Sequence, residues 1–375
     1  MDFQRLTELL DHFLTLGIPC TDCAVYLRGA PVFRHYNGCS DIEAGTPLAP
    51  DALWQIFSVS KVVTCTAALQ LYERGAFLLD DPLSAYLPEF REMCVRESDG
   101  TLRPARNPIL IQDLFTMSGG FTYNLGSDNM RAGVAATDGR APTREMMKYL
   151  ARDPLIFDPG TGWEYSLCHD VLGALVEVLS GQTLDAFIQD HICAPLGLKD
   201  LTFHPTPEQL TRLVPVYDYD WDARAVRPCA GMHLAIGPEY ESGGGGLYAS
   251  TADCAAFGAA LAGGKLLSRR TVDLMRANRL STSQLAQFRR SREPGIRKAN
   301  ERLGYGYGLG VRTMLDPAEG GSNGPAGEFG WGGALGAYLL LDAENDLALY
   351  YSQSTMRPPA EYTRSRLRNV LYACL

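Results

Sequence analysis

Residues 53–75 read LWQIFSVSKVVTCTAALQLYERG, and the reading of Ser58 and Lys61 within them decides the fold. No other serine in the chain precedes a lysine by three positions. A bare S-x-x-K arises by chance in many chains of this length, and its bland account is concrete: Ser58 or Ser60 caps a helix, and Lys61 is a solvated residue of the first turn. Two features weigh against that account. A cation in the first turn opposes the helix dipole. The flanks LWQIF and VVTCTAALQL are apolar enough to bury the segment, and a buried lysine needs partners or a depressed pKa. The alternative explains both. At this spacing Ser58 and Lys61 share one helix face, so the amine can approach the hydroxyl. An apolar setting favours the neutral amine, which can take a proton from Ser58 and make it a nucleophile.

Outward from this stretch, Val62, Cys65, Ala68, Leu69 and Tyr72 fit a buried helix, and Gly75 sits where a C-terminal cap belongs. Residues 4–16 have the period of an amphipathic helix. CAVYLRG and PVFRHYNG predict two strands joined at GAP. From about 80 to 240 the pattern is short helices and proline-rich loops. The last third returns to strands: YGYGLGVRT, EFGWGGA and AYLLLDAENDLALYYSQS, with AEND as a turn, follow a helix at 252–262 and precede one at 359–373. A sheet built from both chain ends and covered by helices is an α+β architecture. Neither a linker nor an internal repeat interrupts it, which predicts a single domain over 1–375, with 1–80 and 240–375 as an α/β part and 81–239 as a helical part.

The composition, 46% hydrophobic and 21% charged over 375 residues, supplies a large core. A formal charge of −9 repels phosphate backbones, which argues against a nucleic-acid partner. The basic stretch at 288–302 reads as a solvated segment. The N-terminal residues lack the basic start and apolar run of a signal peptide, and no window offers a bilayer span, so a cytoplasmic protein with no membrane partner is expected. Ten cysteines without a small-scaffold pattern fit a reducing compartment. Cys20-x-x-Cys23 has no second pair to complete a metal site, so no metal is expected.

Four further blocks carry a resemblance. GTGWEYSLCHDVLGALVEVLSGQTL (160–184) resembles the segment of class C β-lactamases and their esterase relatives that supplies a catalytic tyrosine. ILIQDLFTMSGGFTY (109–123) is similar to their helix-to-loop segment, and ESGGGGLYASTADCAAFGAALAGG (241–264) to their Gly-rich strand and following helix. GEFGWGGALGAYLLLD (327–342) resembles their late strand in the W-G-G form of family VIII carboxylesterases. The blocks run in the family's order over most of the chain. The resemblance implies a β-lactamase/transpeptidase-like fold and an acyl-enzyme mechanism without metal or organic cofactor. It makes Ser58 the nucleophile, Lys61 its amine partner and Tyr165 the phenol that works with them, and it gives the oxyanion-binding N–H groups to Ser58 and Ala334. Either Lys61 or Tyr165 can then be the general base.

Two departures from the penicillin-interactive pattern shift the expected substrate. Trp331 and Gly332 stand where Lys and Thr of a Lys-Thr-Gly motif would hold a carboxylate, and Leu167 stands where an Asn would bind an amide. Both remove polar handles, so small, uncharged acyl esters are the expected substrates. A β-lactamase or D-amino-acid peptidase is the second reading, and a non-catalytic ligand-binding relative the third. Gly332 and Gly333 should let the acyl group approach the strand. Trp331, Tyr123 and the aromatic run VYDYDWD (216–222) are candidate walls, with a strand-turn hairpin as the plain account of that run. His169 beside Asp170 imitates part of a Ser-His-Asp triad. Ser322 in GGSNG imitates a nucleophile elbow, but its loop-forming flanks argue against one.

Overall fold

The computed structural model describes residues 1–232, 234–290 and 302–375. Helix α1 (Gln4–Thr15) leads into β1 (Cys20–Leu27) and β2 (Ala30–Asp41). Their hairpin turns at Arg28 and Gly29, both at positive φ (52° and 76°), the geometry that matches the twist of paired strands. Three core helices follow: α2 (Ser60–Glu73), α3 (Cys168–Ser180) and α4 (Thr251–Ala262). The last third contributes β3 (Tyr305–Tyr307), β4 (Arg312–Met314), β5 (Phe329–Gly332), β6 (Tyr338–Asp342) and β7 (Leu347–Ser352), and α5 (Ala360–Cys374) closes the chain. The strands lie in the order β3-β4-β5-β6-β7-β1-β2, with Thr46–Pro47 as a short outer edge, and every pair is antiparallel.

Both faces of this sheet are covered. Ala24, Leu339, Leu341, Ala348 and Tyr350 belong to the larger core with residues of α2, α3 and α4. Their alternating neighbours Val25, Tyr338, Leu340, Leu349 and Tyr351 pack with residues of α1 and α5 in a second core. An antiparallel strand with one solvated face would alternate apolar and polar residues. Burial on both sides is why YLLLD and LALYYS are continuous apolar runs. The same alternation sends Cys20 into one core and Cys23 into the other, so the C-x-x-C spacing does not bring the two thiols to one site.

Helix α2 runs through the middle of the larger core. Every residue from Ser60 to Leu69 is buried, which suits a helix that is apolar all round rather than along one stripe. The middle of the chain also holds small strand pairs, Cys94–Arg96 with Leu102–Pro104 and Tyr217–Asp220 with Ala225–Pro228. Most of the basic stretch at 288–302 lies outside the described residues. Among the described residues no single helix is long and apolar enough to cross a membrane.

Candidate active site

The strand Leu53–Gln55 pairs with Tyr248–Ser250, and the chain then tightens into a 3-10 turn at Phe57–Val59 that feeds α2. Phe57 sits at φ 44°, in the left-handed region that a bulky side chain avoids. Such a conformation costs on the order of 1–3 kcal/mol and persists only where its surroundings enforce it. The strain lies on the residue before Ser58. Neither Ser58 nor Ser60 caps α2 with its side chain. Instead, three side chains of this segment strap down the stretch of residues 243–247, four glycines and Leu247. The Ser60 hydroxyl accepts from Leu247 N–H (3.1 Å), Lys61 Nζ donates to Gly244 O (2.5 Å) and Thr64 donates to Gly243 O (2.9 Å).

Lys61 has no exposed surface. Besides Gly244 O, its Nζ reaches Ser58 Oγ at 3.3 Å and Tyr123 Oη at 3.5 Å, and it faces the rings of Tyr165 and Tyr123 at 4.5 and 5.1 Å. Three N–H donors directed at three oxygens describe an ammonium. Burial pulls its pKa down, but the oxygens of Tyr123 and Tyr165 and the Asp170 carboxylate outweigh burial and raise it above the ordinary lysine value. The expectation of a neutral amine is therefore corrected. The local sequence is apolar, yet segments near 123, 165, 170 and 244 bring oxygens to the nitrogen. Asp170 is itself buried: its Oδ1 accepts from Ser242 (2.7 Å) and Tyr240 (3.1 Å). Burial pushes its pKa up, while these donors and Lys61 oppose the rise.

Tyr165 Oη lies 2.6 Å from Ser58 Oγ, a short contact between two hydroxyls. Its ring is held in a layer, with Tyr123 on one side (5.5 Å, 11° between planes) and Trp331 on the other (6.0 Å, 16°). The structure thus gathers Ser58, Lys61, Tyr165 and Tyr123 at one place. Trp331 is 2% exposed and braces the Tyr165 ring, with the Tyr307 ring edge-on to it (5.3 Å), so it is not an open pocket wall. Leu167 has no exposed surface; it belongs to the larger core, with its N–H on Thr122 O (3.2 Å), and cannot line a pocket. Gly332 and Gly333 are buried too. A Cβ at Gly332 would meet the Arg364 guanidinium at 2.4 Å, and one at Gly333 would meet Ile56 O at 2.5 Å. Their bareness makes room for the protein's own atoms rather than for a substrate. The run 216–222 is the hairpin of its plain account: Tyr217 and Tyr219 donate to Ser40 O (3.2 Å) and Leu16 O (2.7 Å), far along the chain from the site.

Ala334 is half-buried in the turn joining β5 to β6. In that turn Gly333 N–H bonds Ala337 O (2.8 Å) and Gly336 N–H bonds Gly333 O (3.0 Å), so the Ala334 N–H takes no part in the turn's own backbone hydrogen bonds. A cleft of about 380 Å³ opens beside Phe57, between Phe203, Leu234, Tyr240 and Leu247, with Gly245 and Gly246 in its wall. It reaches the site at Gly245, whose missing Cβ would sit 3.7 Å from Tyr123 Oη. Sequence reading missed these lining residues. The signal for them was the four-glycine run, which is bare because His169, Asp170, Thr64 and Lys61 crowd Gly243 and Gly244 while Leu234 and Phe203 crowd Gly245 and Gly246. His169 is fully buried, hydrogen-bonded through Nε2 to Phe115 O (3.2 Å), and burial together with the charge of Lys61 lowers its pKa to about 3, so it is a neutral packing residue. Ser322 sits in a turn, its Oγ accepting from Gly324 N–H (3.0 Å).

The β-lactamase family model matches residues 6–373. Esterase EstB of Burkholderia gladioli is 31% identical over 379 residues, covering 94% of this chain and 90% of the relative. Acyltransferase calJ of Penicillium decumbens is 29% identical, covering 88% and 82%. Among solved structures, simvastatin synthase (LovD) of Aspergillus terreus superposes with a TM-score of 0.83 over 100% of this chain and 98% of that one, at 24% identity, a likeness of fold. A match spanning nearly every residue, joined to the β-lactamase/transpeptidase-like architecture, means that this chain belongs to the β-lactamase family.

Proposed function

We propose that the protein is a serine hydrolase that cleaves small, uncharged acyl esters through an acyl-enzyme on Ser58. The observation that carries this reading is the convergence on Ser58 Oγ of Tyr165 Oη at 2.6 Å and a buried, charged Lys61 at 3.3 Å. Tyr165, with the Lys61 ammonium beside it, acts as the base that takes the Ser58 proton while Oγ attacks the acyl carbon. Two N–H groups, of Ser58 and Ala334, receive the oxyanion, and Lys61 limits charge build-up on the attacking oxygen. Collapse breaks the ester C–O bond, and Tyr165 returns the proton to the departing alkoxide. Water then repeats the sequence on the acyl-enzyme: Tyr165 removes its proton, the acid is released, and the proton returns to Ser58. An alcohol entering in place of water gives acyl transfer instead, and the relatives carry names of both kinds.

The preference for esters is supported by what is missing. The uncharged Trp331 stands at the lysine position of the Lys-Thr-Gly pattern, and Leu167 is sealed in the core where an amide would be needed. Tyr123 and Tyr165 come from the 81–239 part, and Ser58, Lys61 and Ala334 from the two ends, which supports one catalytic unit with its site at the seam. Ten unpaired thiols support a cytoplasmic setting. The test is Ser58→Ala, expected to abolish hydrolysis of p-nitrophenyl butyrate and labelling by a fluorophosphonate, while Ser322→Ala leaves both intact. Faster turnover of a chromogenic cephalosporin than of the butyrate ester would overturn the substrate class.

A further inference from the structure

Helix α5 presents two arginines one turn apart to the sheet, Arg364 and Arg368, 2% and 4% exposed. Arg364 reaches the turn between β5 and β6, where its Nη2 donates to Gly333 O (2.9 Å) and Ala337 O (3.2 Å). We propose that Arg364 is a positioning residue for catalysis: by holding Gly333 O it locks the orientation of the Gly333–Ala334 peptide and so aims the Ala334 N–H at the oxyanion. This inference rests on the acyl-enzyme reading given above.

Gly333 C=O and Ala334 N–H belong to one planar trans peptide, so they point in opposite directions. A carbonyl drawn toward α5 sends the N–H away from α5, and the turn lies against the Ser58 segment, with Gly333 packed on Ile56 O, two residues before Ser58. Gly333 has no Cβ to resist rotation of that peptide, so its orientation depends on what holds the carbonyl: Gly336 N–H within the turn (3.0 Å) and the Arg364 guanidinium from outside it. The guanidinium supplies the outer restraint as a rigid planar fork of donors. A charged donor on the carbonyl also polarises the same peptide and strengthens its N–H as a donor. The neighbouring sequence accommodates the arrangement. Along β5 successive side-chain positions face opposite ways: Trp331 braces Tyr165, and the empty side of Gly332 is filled by the Arg364 guanidinium, 2.4 Å from where a Cβ would be. Gly336, at φ 101°, lets Gln353 close the turn from below.

The experiment compares Arg364→Ala, Arg364→Met and Arg364→Lys with the parent on p-nitrophenyl butyrate. Misorienting one oxyanion donor should lower kcat roughly 10- to 100-fold. KM should stay within about twofold, because the ground-state ester makes little use of that N–H. Fluorophosphonate labelling of Ser58 should slow in parallel. Lysine should retain intermediate activity, and methylguanidinium should revive Arg364→Ala without stimulating the parent, an effect that merely structural packing would not give. Arg366→Ala, exposed on the same helix, is the control and should match the parent. If Arg364→Ala does not fold, the Lys and Met variants give the same kcat-against-KM comparison. The proposal is overturned if kcat is unchanged, if only KM moves, or if neither lysine nor methylguanidinium restores any loss. Activity surviving in Ser58→Ala would reject the acyl-enzyme reading itself; an inactive Ser58→Ala beside fully active Arg364 variants would reject only the role of Arg364.

Discussion

A lysine sealed from water normally sheds its charge, and Lys61 does not because its three protons each meet an oxygen. Gly244 is central to that arrangement. Its carbonyl takes the shortest of the three bonds, and its bare α-carbon lets Asp170, Tyr123 and Lys61 crowd together. A Cβ there would sit 2.6 Å from Asp170 Oδ2, 3.2 Å from Tyr123 Oη and 3.4 Å from Lys61 Nζ. Asp170 is enclosed and hydrogen-bonded, so it cannot yield. Gly244→Ala should therefore displace the 244 carbonyl and with it the ammonium. A shift of an ångström near the reacting atoms lowers kcat on the order of 10²-fold. Steady-state kinetics on purified, folded variant would check this, and an unchanged kcat would show that Lys61 does not depend on Gly244. At this scale the sequence was partly legible. Ser58, Lys61 and Tyr165 stood out through spacing and family motif. The charge state of Lys61 did not, because it depends on oxygens contributed from positions 62 to 183 residues away. Local composition is silent about such partners.

Among elements, the strands of the last third were readable because their apolar runs and the AEND turn are local signals, and the closing helix likewise. The wall residues were not. Tyr217 and Tyr219 have the alternation of a strand, but nothing in VYDYDWD states which surface the strand meets, and it meets the second core. Leu167 was misplaced for a similar reason: a position inherited from a motif says where the backbone goes, while the alkyl side chain goes to whichever core is nearest. Glycines inside strands are more telling. Gly330 lies in β5 at φ 146°, paired with Leu340 on one side and Arg312 on the other, and a Cβ would fall 2.1 Å from Leu339 O. That oxygen is backbone in the middle of the sheet and has no room to retreat. Gly330→Ala should destabilise the fold by about 2 kcal/mol or more. Urea unfolding would measure it, and a midpoint matching the parent would mean that β5 and β6 can part without penalty. Since Trp331 is the next residue, the layer bracing Tyr165 should loosen, and activity should fall even where the variant is folded.

The whole molecule carries buried ionisable groups whose titration sets its response to pH, and they pull in opposite directions. Burial and the charge of Lys61 hold His169 neutral down to about pH 3, so its contribution is present above 6.5 and is lost as pH falls through that range. Glu177 on α3 behaves the other way. Burial, aided by repulsion from Glu241, raises its pKa from 4.5 to about 7 against the pull of the Leu184 N–H, which its Oε1 accepts at 3.3 Å. Between those values the folded chain keeps a proton that the unfolded chain has released. Stability from this group is therefore complete below pH 4.5 and declines as pH rises to 7. His204, raised by its hydrogen bond to Glu241 (2.9 Å), adds to the same decline, its share being present below 6.5 and lost as pH climbs through its folded pKa. For Glu177 alone the span corresponds to at most about 3.5 kcal/mol. Glu177→Gln keeps an acceptor for Leu184 N–H and removes the titration, so it should gain stability relative to the parent as pH rises. Urea unfolding of both proteins at pH 5 and pH 8 provides the measurement. The variant-minus-parent difference should increase by up to about that amount between the two conditions. A difference that stays constant would mean that Glu177 enters the fold already ionised, with its charge met by a partner such as Arg144 rather than suppressed by burial.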